Sequence, residues 1–142
     1  MKKEIVIYKK SMDFALRIAK LSEFLVSERK ERNISNQIFR SGTSIGANIA
    51  ESRNAQSDAD FISKLNIGLK EADETRYWLE LLAKWGKINE DQFKSMDDDC
   101  DELIKLLIAT IKSKKKNMQT NGLQNARNSE LNSQFSILNS QL

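Results

Sequence analysis

Apolar residues return at helical intervals along most of the chain, and the polar residues between them mark where each helix starts and stops. Between 11 and 32, Met12, Ala15, Ile18, Ala19, Leu21, Leu25 and Val26 fall at helical spacing with Lys and Arg between them. Ser11 is a candidate N-cap, Asp13 sits where the first turn favours an acid, and Asn33 is a stop signal. A second segment, 35–53, carries Ile38, Ser41, Ile45 and Ile49 down one side. The third, 57–85, opens on Ser57 with Asp58 and Asp60 behind it and ends at Gly86. Phe61, Leu65, Leu69, Ala72, Leu79 and Leu82 keep the helical period in between. The fourth, 89–113, starts from the capping-box-like Asn89-Glu90-Asp91-Gln92. Phe93, Met96, Cys100, Leu103 and Leu107 then alternate by threes and fours as an a/d seam. Four amphipathic helices joined by short links predict an all-α fold, an antiparallel up-down-up-down four-helix bundle spanning 1–112.

Composition agrees with that reading. Proline is absent and glycine is scarce, which suits long helices better than sheets with frequent turns. Beyond Ser113 the chain is rich in Asn, Gln and Ser, and Leu131-Asn-Ser-Gln recurs seven residues later at Leu138. Two copies are too few for a coiled coil, so 113–142 reads as a flexible, disordered tail. No apolar run reaches a membrane span, the apolar stretch after the first lysines is too short for a signal peptide, and the lone Cys100 suits a reducing compartment. A cytoplasmic protein is expected.

The basic pI of about 9.0 dissolves on inspection. The tail from 113 holds four basic residues and one acid, which accounts for the whole net charge of +3. The body is polarised instead: residues 1–40 carry ten basic groups against five acidic, and 41–112 carry nine against fourteen. Overall charge is therefore weak evidence for a partner, while the basic first portion is a candidate surface.

The stretch RSGTSIGANIAES breaks the pattern. A glycine inside a helix costs about 1 kcal/mol relative to alanine, yet Gly42, Gly46 and Ala50 stand at i, i+4 and i+8. On a helix they form one small-residue face onto which a neighbour can sink, with Ile45 and Ile49 flanking it toward the core. Local propensity alone also permits a loop at Ser41–Ser44 with the helix beginning at Ser44.

The run Ile38–Glu51 resembles the second-helix motif of the four helix bundle protein family, also called the 23S ribosomal RNA intervening-sequence protein family. The resemblance continues through Asp60-Phe61-Ile62, Lys64-Leu65, Leu69-Lys70-Glu71-Ala72 and Glu74-Thr75-Arg76-Tyr77-Trp78-Leu79, and covers roughly residues 10–112. It implies a helical bundle with a long second helix. Many members carry a proline where this chain has Gly46, so the shared need is tolerance of a local bend. The resemblance further implies a homo-oligomer, since relatives form ring-like pentamers. It brings an association with ribosomal RNA, and a similarity to the accessory protein of diversity-generating retroelements, whose pentamer partners a reverse transcriptase and nucleic acid.

Seven of the nine residues from Tyr77 to Trp85 are apolar or aromatic, more than one buried helix face needs. With Leu79 and Leu82 turned to the core, Trp78, Leu81 and Trp85 fall on an adjoining face and are candidates for an oligomer interface. The alternative is that both indoles fill the ends of a wide core.

Candidate chemistry is thin. Histidine is absent, which removes the commonest general base and the Glu-x-x-His of di-iron bundles. Asp97–Glu102 fails as a calcium loop because Glu102 stands where glycine must turn and Ile108 where the bidentate Glu belongs. Those acids read as a solvated face. Glu51, Glu71 and Glu74 read as structural carboxylates that set the alignment of the second and third helices, with Arg76 or Asn48 as partner for an inward Glu51. No P-loop, nucleophile elbow or CxxC pair is present. The reading is a non-enzyme with no catalytic, cofactor or metal site. Lys9, Lys10, Arg17, Lys20, Arg29, Lys30, Arg32 and Arg40 are the candidate RNA or DNA contacts, multiplied by symmetry in a ring. The competing reading is a protein-binding scaffold or accessory subunit without nucleic-acid affinity, whose charge polarity only orients subunits.

Overall fold

The fold follows from four long helices, each hiding one apolar stripe against its neighbours. The computed structural model describes residues 2–141 and divides into two units, Met1–Ile111 and Lys112–Leu142. The helices are α1 (Lys2–Arg29), α2 (Asn33–Ser52), α3 (Asp58–Lys84) and α4 (Glu90–Ser140). In the first unit, side-chain bonds join α1 to α2, α2 to α3, α3 to α4 and α4 back to α1. Short links and this closed order of neighbours make an antiparallel four-helix bundle.

The helix ends are written in local chemistry. Ser57 adopts extended backbone and its hydroxyl accepts the Asp60 N–H at 3.0 Å, capping α3. Gly86, with φ of 76°, ends α3 in the left-handed conformation, and the Lys87 N–H returns to the Leu82 carbonyl at 2.9 Å. Asn89 and Gln92 cap α4 reciprocally, at 2.9 and 2.8 Å. The α1–α2 link uses the same left-handed stop without glycine: Lys30 has φ of 55°, and the Glu31 N–H reaches the Leu25 carbonyl at 2.9 Å. The buried Glu31 carboxylate then accepts the Ile34 N–H at 2.9 Å and caps α2.

α1 begins at Lys2, well before Ser11. Ile7 is buried in the core, and extending the helix is what places it there. Ser11 is therefore mid-helix and buried, its hydroxyl donating to the Tyr8 carbonyl at 2.7 Å. The buried stripe of α1 is Ile7, Ser11, Phe14, Ile18 and Leu25, whereas Met12 and Leu16 face solvent. Leu79, Leu82, Cys100, Leu103 and Leu107 supply the α3 and α4 sides of the core.

The second unit differs from the flexible tail expected of its composition. α4 continues as helix to Ser140, with no proline to break it and a single glycine, Gly122, that no neighbouring atom crowds. Leu123, Leu131, Phe135, Ile137 and Leu138 are exposed, and Met118 is half-buried. Period without burial explains why composition alone did not mark it as a helix.

Candidate functional site

The glycine stretch is helical throughout, which closes the loop alternative. A Cβ on Gly42 would lie 2.7 Å from Ile18 Cγ1, and one on Gly46 would lie 3.1 Å from Ser11 Oγ. Ile45 and Ile49 are buried and Ala50 is half-buried. The small residues thus let α1 settle onto α2, and the seam continues in Ser22 and Ser35, each hydroxyl donating to the other's carbonyl at 3.1 Å. The opposite side of α2 meets α3 through Thr75, whose Oγ1 donates to the Glu71 carbonyl at 2.7 Å and sits 2.9 Å from Ser41 Oγ. A Cβ on Gly68, a position the sequence pattern did not single out, would meet the Ile45 carbonyl and Asn48 only at ordinary contact distance.

The structural carboxylates take different partners from those expected. Glu51 is exposed and pairs with Lys64 at 3.1 Å, not with Arg76 or Asn48, because its position on α2 turns outward. Asn48 instead donates to the Ser44 carbonyl at 2.8 Å. Arg40 of α2 spans Glu71, at 3.3 Å, and Glu74 on α3. Its hydrogen bond to Glu71 is the main cause that raises its pKa. Arg76 turns to α4, holding Asp97 at 2.9 and 3.0 Å and Asp101 at 3.3 Å. The acids of 97–102 are thus engaged with cations on three helices: Asp99 with Arg17, Asp98 with Lys94, Asp101 also with Lys105, and Glu102 with Lys10. A hydrogen bond from Lys105, reinforced by the charges of Lys105 and Arg76, holds the Asp101 carboxyl below its usual range. Cys100 is fully buried among these helices, and burial pushes its thiol up to about 12.

These pairings divide the eight candidate cations. Lys10, Arg17 and Arg40 are spent on ion pairs within the bundle. Lys9, Lys20, Arg29, Lys30 and Arg32 are exposed, and none has a carboxylate within ion-pair distance among the described residues. Three of them gather at one end of the bundle. The Arg29 Nε–H donates to the Lys87 carbonyl at 3.1 Å, which brings the end of α1, the α1–α2 link and the α3–α4 link together. Arg29, Lys30 and Arg32 belong to that end, beside the Lys87 backbone, with the Lys87 ammonium over the Trp85 ring and the Lys30 ammonium donating to the Ser27 carbonyl, and Lys20 stands about 14 Å down α1. Lys9 lies farther along the helix, apart from the group. Lys87 was not foreseen, because only the fold brings it beside α1.

The aromatic face of α3 is uneven. Trp78 is half-buried, packed on the core, with its ring N–H directed to Glu74 Oε2 at 3.4 Å and Tyr77 edge-on at 4.9 Å. Leu81 is half-buried, while Trp85 is 53% exposed with the Lys87 ammonium 4.5 Å over its ring. Ile67 and Tyr77 are exposed on the same helix. Met12 and Leu16 of α1 and Phe39 of α2 are also exposed. No helix among the described residues is long and apolar enough to cross a membrane.

The sequence model of a family described as 23S rRNA-intervening sequence protein matches residues 3–109. The chain is also similar to a crystal structure of a protein of unknown function from the S23 ribosomal protein family of Bacteroides thetaiotaomicron VPI-5482. The two are 57% identical, the match covers 78% of this chain and 98% of that one, and the TM-score is 0.77. None of the curated proteins matches significantly.

Proposed function

This chain belongs to the 23S rRNA-intervening sequence protein family, and on that footing we propose that it is a non-enzymatic, homo-oligomeric bundle that associates with RNA or DNA. The observation that carries the reading is that Arg29, Lys30 and Arg32 lie exposed at one end of the bundle, outside the internal ion pairs, with the half-buried Lys87 beside Arg29. Exposed cations free of carboxylates are the groups that phosphates can recruit with release of counterions. The family's name, with its ribosomal RNA intervening sequence, points the same way.

Assembly is supported by apolar surface. A closed ring needs two different faces that complement each other. The aromatic side of α3 (Ile67, Tyr77, Trp78, Leu81, Trp85) would supply one such face and the exposed Met12, Leu16 and Phe39 of α1 and α2 would contribute to the other, and resemblance makes a cytoplasmic pentamer the expected form. Each copy added to a ring repeats the cationic end, so weak single contacts multiply.

The test is a titration of the full chain against structured RNA and duplex DNA at rising salt. Binding that weakens log-linearly with salt supports the reading; absence of binding at low salt overturns it. One observation favours a second reading, a protein scaffold that partners a reverse transcriptase or another protein. Lys10, Arg17 and Arg40 each pair with a carboxylate on a neighbouring helix, so part of the basic first portion serves the fold.

A further inference from the structure

The seam between α1 and α4 changes character along its length. Its lower cleft is lined by Lys10, Asp13, Phe14, Asp99, Glu102 and Leu103, three carboxylates against one ammonium. A phosphate is repelled there. The stretch nearer the cationic end is an open groove of about 410 Å³, lined by Arg17, Lys20, Leu21, Phe24, Gln92 and Met96. Every one of these side chains is apolar, neutral or cationic. Leu21 and Phe24 pack on the core as a floor, and the buried Met96 closes the α4 side.

Arg17 is fixed in place by Asp99 at 2.6 Å and Ser95 Oγ at 2.8 Å. Lys20 is exposed, with no carboxylate in ion-pair reach among the described residues. Arg29 lies over the Phe24 ring, its guanidinium carbon 4.8 Å from the centroid, a cation–π contact that sets a cation beside the aromatic ring at this position. The Gln92 side-chain oxygen is used by the Asn89 N–H, which leaves its amide NH2 as a donor beside the groove. Aromatic and guanidinium planes for stacking, an amide for a base edge and an ammonium for the backbone are the parts that hold unpaired bases. Paired bases do not offer their faces, so a duplex gains only the cations.

We propose that this α1–α4 groove receives an unpaired nucleotide of single-stranded nucleic acid, the base against Phe24 and Arg29 and the phosphate on Lys20. The inference rests on the nucleic-acid reading above and narrows it from any polyanion to a strand with exposed bases. The test uses the full chain with a labelled oligouridylate of about sixteen nucleotides and an RNA duplex of equal length. The expected result is tighter binding of the single strand, with Phe24→Leu losing about tenfold of it and leaving duplex binding unchanged. Lys20→Gln weakens both. Circular dichroism establishes that Phe24→Leu is folded. Should that variant not fold, photocrosslinking of a 4-thiouridine-substituted strand to the unaltered protein decides, with adducts expected on Phe24 or Met96. Equal affinity for duplex and strand with no effect of Phe24→Leu, or adducts confined to other helices, overturns the groove and leaves the broader reading standing. Failure of both nucleic acids to bind at low salt removes the broader reading and the groove with it.

Discussion

The Ile18 side chain fills the space where a Gly42 Cβ would stand, with Cγ1 at 2.7 Å and Cγ2 at 2.8 Å from that point. Both residues are buried, and a β-branched side chain on a helix has few rotamers to retreat into. Gly42→Ala gains about 1 kcal/mol of helix propensity but forces overpacking worth about 1–3 kcal/mol. A net loss is expected, read as a lower denaturant midpoint at unchanged slope. In an Ile18→Ala background the same substitution has room, so the double variant is more stable than the two single losses add up to.

Gly68 is the contrasting case. A Cβ there would touch the Ile45 carbonyl at 3.6 Å, Asn48 Cβ at 3.7 Å and Leu107 Cδ2 at 3.8 Å, all ordinary contacts. Gly68→Ala is expected to leave stability unchanged or raise it by up to about 1 kcal/mol. A loss comparable to that of Gly42→Ala contradicts the packing described for the α2–α3 seam.

Lys30 holds a left-handed backbone, φ 55°, that costs an L side chain about 1–2 kcal/mol. Lys30→Gly removes that strain, so the thermal midpoint rises by several degrees. The same change deletes one exposed cation. Higher stability with weaker binding of structured RNA is the expected pair of results.

Burial raises the Cys100 thiol from 9.0 to about 12. The folded protein therefore favours the neutral thiol, and this contribution is intact below pH 9 and lost as pH climbs toward 12. Alkylation at pH 8 should be slow in the native protein and fast in denaturant. Rapid native alkylation contradicts the burial.

The fold was legible because each stop and start has local chemistry. Ser57, Gly86 and the Asn89–Gln92 pair are capping residues whose partners lie within a few positions, so sequence carries them almost completely. Ser11 misled because serine also serves as a small buried residue, here facing Gly46. The close approach at Gly42 was readable from its spacing, but which helix approaches was not. The candidate site was less legible. Arg17 and Lys20 lie three apart on α1 and both line the groove, and nothing local says that Asp99 takes one and leaves the other unpaired. Glu51 and Arg76 were natural partners on charge alone, yet each turns to a different element. Long-range pairing is decided by which helix faces meet, and a single sequence encodes that only indirectly.

Assembly makes its own prediction. Light scattering on the eluting protein should give a mass several times 16.3 kDa, and Trp85→Glu should shift it toward the single chain while helicity is retained. An unaltered protein that elutes as a monomer contradicts the two-face account.

The division of cations into spent and free groups is tested most directly by removing charge from each group and measuring RNA affinity across salt. Lys20→Glu with Arg32→Glu should lower affinity at least tenfold and flatten the salt dependence by about two phosphate contacts. Lys10→Gln, which touches only a paired cation, should change neither. Wild-type affinity and slope in the Lys20→Glu, Arg32→Glu protein would contradict the account.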